Sequence, residues 1–309
     1  MTTFAPLIAA KLNIRAQQAE AVLALLAEGA TIPFIARYRK DKTGALDEVV
    51  VQQIEDEAKN LKAFTERKAA IEKSITEQGK MTEELQQKLN HATTLTELED
   101  IYLPYKPKRR TKAQVARENG LEPLALLILE QKDTDLQAEA SKYLNEKIET
   151  VDDTLQGARD IIAEQVNEDA QVRAKMRKLF EDKATLQSKV VSDKESEGIK
   201  FKDYFDYSEP VMKVPSHRAL AVLRGFVEGM LRITIAPEEE HAVEQLEAMF
   251  VKGLSESSNQ VKKAVKDAYR RLLQPALETE FRTMLKQRAD EEAITVFAEN
   301  QKQLLLSPP

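Results

Sequence analysis

The stretch that decides the fold runs from Asp47 to Gln78, DEVVVQQIEDEAKNLKAFTERKAAIEKSITEQ, with Gly79 directly after it. It contains no glycine and no proline. Its apolar residues Val50, Ile54, Leu61, Phe64, Ile71 and Ile75 recur at intervals that trace one stripe along a helix. Asp47 suits an N-cap and Gly79 suits a stop. At a rise of about 1.5 Å per residue, such a helix is a rod of about 48 Å. One apolar stripe means one buried face, and that face needs partner helices. The stripe lapses near Glu57 and Ala58 and again over 65–68, so the rod reads as a scaffold spine rather than an isolated coiled coil.

The rest of the chain supplies such partners. It has 309 residues, enough for two or three compact units. Only 9 are glycine, 11 are proline and none is tryptophan, while 32% are charged. That composition favours helix after helix over a sheet-rich fold. No glycines cluster as a phosphate-cradling loop or a dinucleotide fingerprint requires. Cysteine is absent, which excludes disulfides, thiolate metal sites and cysteine nucleophiles. The three histidines, His91, His217 and His241, are too far apart in sequence for an HxxxH metal pair. No metal, cofactor or enzyme activity is therefore expected. Lys and Arg number 46 against 52 for Asp and Glu, a net charge of −6, so any contact with nucleic acid must be local. The N-terminus lacks a signal-peptide pattern, and no window approaches the ~20 apolar residues of a membrane span. A soluble, cytoplasmic protein without membrane partners is the expectation.

Asn13 reads as the cap of a helix ending near Glu28, and Pro33 opens a short helix over 34–40. After the rod come helices at about 83–91 and 95–102, the second opened by a Thr94–Glu97 capping box. Further helices are read at about 111–119, 123–131, 136–147, 153–168 and 169–186. The run 192–198 is polar and ends on glycine, a surface loop. Ser216 is read as the cap of a helix to Arg224. Residues 231–235 alternate and are β-branched, the best strand in the chain, with a partner sought near 189–191. Helices at about 238–252, 258–273 and 275–303 close the chain. Pro275 opens or kinks the last, whose apolar face is Phe281, Leu285, Ala289, Ile294 and Phe297. The expected fold is mainly α: a multi-helix assembly around a long central helix, with a helix-turn-helix-like subdomain and at most one short β element. The expected domains are 1–190, helical, with the helix-turn-helix-like part near 95–131; 191–236, a connecting segment; and 237–309, helical. Leu304 to Pro309 reads as a lead-in to a further domain, so the chain reads as a fragment.

The strongest chemical feature is the segment 102–117. It carries six positive residues, Lys106, Lys108, Arg109, Arg110, Lys112 and Arg117, and no acid, with Tyr102 and Tyr105 interleaved. Guanidinium and ammonium groups match phosphates, and tyrosine rings stack on exposed bases. Six phosphate contacts would give a log–log salt slope of roughly −5 on duplex DNA. The other reading is a solvated loop, or one that cages acidic helices of the same chain. Ala116, Gly120 and Leu126 have helix-turn-helix spacing. The would-be recognition helix over 123–129 is nearly all apolar, which suits a buried hairpin better than a groove reader. Arg37, Arg39 and Lys40, with Tyr38, form a smaller cationic cluster that either extends the basic surface or pairs with acids of the rod. Ser216 beside His217 lacks the glycines and orienting acid of a hydrolase site.

Several longer strings carry a resemblance. They are TIPFIARYRK at 31–40, TGALDE at 43–48, LTELEDIYLPYKPKRRTK at 95–112, ARENGLEPL at 116–124 and PSHRALA at 215–221 leading into Arg224-Gly225. With these, the chain resembles the N-terminal region of the Tex family of bacterial transcription accessory proteins along essentially its whole length. Phe226 departs from the acid usual there. The family continues into an RNase-H-like YqgF domain, a helix-hairpin-helix pair and an RNA-binding OB-fold domain, so the resemblance implies a chain truncated before the YqgF-like domain. It implies a helical, non-enzymatic module in transcription and RNA metabolism, binding RNA or DNA weakly without the OB-fold domain, with transcription machinery as a possible partner. The expected nucleic-acid-binding residues are Lys106, Lys108, Arg109, Arg110, Lys112, Arg117 and Tyr105. The alternative is a protein–protein scaffold docking on transcription or translation machinery or on its own missing domains.

Overall fold

The computed structural model describes residues 4–107 and 110–306. Among these are sixteen α-helices and one three-stranded sheet, a mainly α protein. The chain divides into two compact units after Lys106.

In the first unit, α1 (Ala5–Leu12), α2 (Ala16–Ala27), α3 (Ile32–Tyr38) and α4 (Lys40–Thr43) precede the rod α5 (Glu48–Glu77), followed by α6 (Glu83–His91) and α7 (Leu95–Tyr102). Asp47 caps the rod as expected, its Oδ1 accepting the Val50 N–H at 2.9 Å. The Thr94–Glu97 capping box forms. Asn13 differs from its expected role. It ends α1 in the left-handed region at φ 55°, a conformation asparagine tolerates, and α2 starts later from Arg15.

The rod carries two separate cores. Val51, Ile54 and Ala58 pack with Ile8, Val22, Leu23 and Ile35 of the helices before it. Ile71 and Ile75 pack with Leu85, Leu89, Leu98 and Tyr102 of the helices after it. Leu61 and Phe64 are only partly buried, one at the edge of each core. The lapse in the apolar stripe is thus where the rod exchanges one set of partners for another. Val51 rather than Val50 takes the innermost position at its start.

The second unit holds α8 (Lys112–Glu118), α9 (Glu122–Glu130), α10 (Leu136–Ser141), α11 (Val151–Glu168), α12 (Ala170–Lys183), α13 (Ser216–Val227), α14 (Glu239–Phe250), α15 (Glu256–Ala268) and α16 (Gln274–Leu306). Its strands are β1 (Thr185–Val190), β2 (Asp206–Pro210) and β3 (Leu231–Ala236), antiparallel in the order β2-β1-β3. β3 is the expected strand, with Leu231, Ile233 and Ile235 facing the core. Its partner β1 reaches Lys189 and Val190, opposite Arg232 and Leu231. α12 ends earlier than the sequence suggests because β1 takes over its last turn. Ser216 is the first residue of α13 and makes no side-chain cap. A π turn, Tyr269–Leu273, joins α15 to α16, with the Gln274 N–H reaching back to Tyr269. It lies just before Pro275, which has no N–H to give to an α-helical bond.

Candidate nucleic-acid interface

The cationic segment 102–117 spans the division between the units. In the first unit, Tyr102 is buried. Its hydroxyl lies 2.9 Å from Ser74 Oγ of the rod, and Arg67 stacks over its ring at 5.4 Å. A 3-10 turn, Leu103–Tyr105, follows. The Tyr105 carbonyl accepts a hydrogen bond from Gln78 Nε2 at 2.9 Å, and its half-buried ring packs against the second rod core. Tyr105 is therefore less open for stacking than its sequence position suggests. Lys106 is exposed and makes no ion pair among the described residues.

In the second unit, Lys108 and Arg109 lie outside the described residues. Arg110 is exposed and pairs with Glu118 at 2.7 Å. Thr111 caps α8, its Oγ1 accepting the Gln114 N–H at 3.0 Å and donating to Glu164 Oε1 at 2.9 Å. Lys112, at the first position of α8, is exposed and makes no ion pair among the described residues. Arg117 differs. Its Nη1 donates to Glu164 Oε2 at 2.5 Å, and its Nε lies 3.5 Å from Glu122.

Glu164 and Asp160 sit one turn apart on α11, and both are buried. Arg271 of the π turn reaches Asp160 at 2.8 Å and Asp267 at 2.6 Å. Burial pushes the Asp160 carboxyl above the usual aspartate range, against the pull of Arg271 and Lys112. Two buried acids of one helix are thus balanced by cations from α8 and the π turn. Sequence reasoning missed this network, because an i, i+4 pair of acids looks the same on a solvated face.

The helix-turn-helix spacing marks two helices joined by a turn that pack on α11 rather than closely on each other. Gly120 makes the turn at φ 79°, and Ala116 lies against Gly157 of α11. α9 buries Leu124, Ala125 and Ile128. Leu126, at the expected apolar position, is 54% exposed. α9 packs on α11 and α15 with its apolar face.

The acids at Glu238, Glu239 and Glu240 flank the start of α14, and Glu239 pairs with Arg270 at 2.6 Å. His217 lies in the first turn of α13, near Glu209. No group of three metal-capable side chains gathers among the described residues. No helix among them is long and apolar enough to cross a membrane.

Residues 131–297 match the family described as Tex central region-like, and residues 2–76 match the Tex-like protein N-terminal domain. The chain belongs to the Tex family. It is 44% identical to a transcriptional accessory protein Tex of Neisseria gonorrhoeae, over 98% of this chain and 41% of that relative. It is 41% identical to the protein tex of Bordetella pertussis, over 98% of this chain and 40% of the relative. A human S1 RNA-binding domain-containing protein 1 is 28% identical over 93% of this chain and 30% of its own length. The chain thus spans about two fifths of its bacterial Tex relatives. The cationic segment falls between the two regions matched to the Tex family, whereas the α3–α4 corner lies inside the N-terminal one.

Proposed function

We propose that this chain is a non-enzymatic transcription accessory module that associates with nucleic acid through the cationic segment, where Lys106, Lys108, Arg109, Arg110 and Lys112 contact phosphates. The observation that carries this reading is the exposure of Lys106 and Lys112 without an ion pair among the described residues. Arg110 supports it, because an exposed pair such as Arg110–Glu118 is worth only about 0–1 kcal/mol and exchanges readily for a phosphate. Arg117 is left out of the contact set, since Glu164 holds its guanidinium. The names of the relatives point the same way: one is called a transcriptional accessory protein and another an S1 RNA-binding domain-containing protein.

Electrophoretic shifts with duplex DNA and single-stranded RNA test the reading. Five phosphate contacts predict a log–log salt slope of about −4.5 on the duplex and about −3.5 on the single strand. Changing the five residues to alanine is expected to abolish most of the affinity and flatten the slope. Equal affinity of variant and wild type overturns the role of the segment.

One observation favours protein docking as a second reading. Phe281, Leu285 and Ala289 of α16 are buried, but Ile294, Val296 and Phe297 beyond them are exposed. A nuclease-resistant partner lost on changing Ile294 and Phe297 to serine would support it.

A further inference from the structure

The second cationic cluster of the sequence lies in the first unit, at the corner between α3 and α4. Arg37, Arg39, Lys40 and Lys42 stand there within six residues, with Asp41 the one acid among them. The pairing with acids of the rod that the sequence allows does not form. None of the four makes an ion pair among the described residues. Arg39 donates instead to the Tyr38 carbonyl at 3.2 Å.

The cations surround exposed aromatic rings. α3 turns Ile35 and Ala36 into the core, so Phe34 and Tyr38, four residues apart, share its outer face. Their ring centroids are 5.5 Å apart with planes tilted by 40°. The Arg39 guanidinium lies over the Phe34 ring at 4.8 Å. Tyr38 is 67% exposed and Phe34 38%. An open depression of about 460 Å³ adjoins Phe34, lined also by Glu28, Gly29, Ala30, Arg39 and Lys42.

The corner is also held in place. Buried Thr43 donates its hydroxyl to the Arg39 carbonyl at 3.1 Å, and Gln18 Nε2 donates to the Thr43 carbonyl at 3.0 Å. Side chains on a fixed corner lose less entropy when they bind.

We propose that the α3–α4 corner is a binding platform for single-stranded nucleic acid. Tyr38 and Phe34 stack on unpaired bases, and Arg37, Arg39, Lys40 and Lys42 hold the flanking phosphates. Stacked rings set among cations are the combination that single strands need, because every base offers a π-face and every nucleotide a charge. A duplex would use the charges but hides its base faces. An acidic peptide would likewise leave both rings in water. A lipid surface needs a broad apolar face, and the apolar residues Ile35 and Ala36 of α3 are turned inward. The platform lies within residues 34–42 of the first unit and does not depend on the role of the segment 102–117.

Fluorescence anisotropy of the 309-residue chain tests the proposal with labelled oligo(U), oligo(dT) and a duplex of equal length. Tyr38→Ala is expected to weaken binding of at least one single strand by roughly tenfold, in line with the loss of one base stack. It leaves duplex binding unchanged, and Tyr38→Phe binds as wild type does. Arg37→Glu with Lys40→Glu lowers affinity further and flattens the salt dependence. Tyr38 is largely in water, so thermal melts of all these variants should match wild type. Repeating the series with the five segment residues changed to alanine separates the two sites: the Tyr38→Ala effect persists there. Wild-type affinity in both Tyr38→Ala and the charge-reversed variant overturns the platform, even where those variants lose a protein partner. Equal weakening of duplex and single strands by Tyr38→Ala overturns the stacking, and with it the proposal.

Discussion

Lys112 and Arg117 lie five residues apart near the two ends of one short helix, and the structure gives them different physical roles. Lys112 stands in water at the positive end of the helix dipole, where a cation is mildly unfavourable. Arg117 is about one-third exposed and holds Glu164, whose side chain is only 10% exposed. Removing Arg117 takes a guanidinium away from a buried carboxylate that also accepts from Thr111. Breaking a fully buried pair costs about 3–5 kcal/mol, and partial exposure reduces that. Arg117→Ala is therefore expected to cost about 2–3 kcal/mol, and Lys112→Ala less than about 1 kcal/mol. Urea denaturation of the two variants measures both values. Similar small losses would show that Glu164 does not need its partner. The sequence does not separate these residues, since both are cations in one acid-free run. Their difference comes from Glu164, 47 residues further on.

At the scale of elements, the close approach of α11 to α8 and α9 depends on a missing side chain. A Cβ at Gly157 would lie 2.3 Å from Leu121 Cδ1 and 3.4 Å from the Ala116 Cβ. Leu121 is only 2% exposed and has little room to swing away. Gly157→Ala gains up to about 1 kcal/mol of helix propensity but pays about 1–3 kcal/mol for overpacking. A net loss of about 1–2 kcal/mol is expected. Leu121→Ala in the same chain should relieve it, so the double variant loses less than the sum of the singles. Strict additivity in a thermal-melt cycle would argue against the contact. Half of this junction was legible in advance: the small Ala116 and the turn at Gly120 mark the two helices. Its partner Gly157 was not, because a lone glycine in a helical run has no local signature. The rod was legible because 30 residues without a breaker leave one period to find. β1 was legible only at its end, near 189–191, because Ser188 occupies an inward position, where its hydroxyl donates to the Tyr204 carbonyl at 2.6 Å. A polar residue satisfied by hydrogen bonding hides the alternation that reveals a strand. The open lysines of the candidate site were legible as charge, but the exposure of Phe34 and Tyr38 required knowing which face of α3 is buried.

At the scale of the molecule, the first unit buries two hydrophobic clusters and the second unit one. The two clusters on the rod draw their buried residues from Ala5 to Tyr102, and the large cluster of the second unit draws its own from Ala113 to Ala289. A contiguous core is what makes a segment unfold as one cooperative body, so a core lesion should be felt within its own unit. Ile54 is fully buried in the first rod core, and its truncation to alanine costs about 2–5 kcal/mol. Phe281 is buried in the second unit, its ring 5.3 Å from that of Phe180, and its truncation costs about 3–5 kcal/mol. Hydrogen exchange read by mass spectrometry separates the two effects. Ile54→Ala is expected to speed exchange in peptides of the first rod core, within residues 4–61, and to leave those from 110–306 protected. Phe281→Ala should do the reverse. Loss of protection across both ranges from either variant would mean that the units unfold as one. If the lesions stay separate, removing the segment cations tests binding without perturbing either core, because Lys106, Arg110 and Lys112 are exposed and belong to neither cluster.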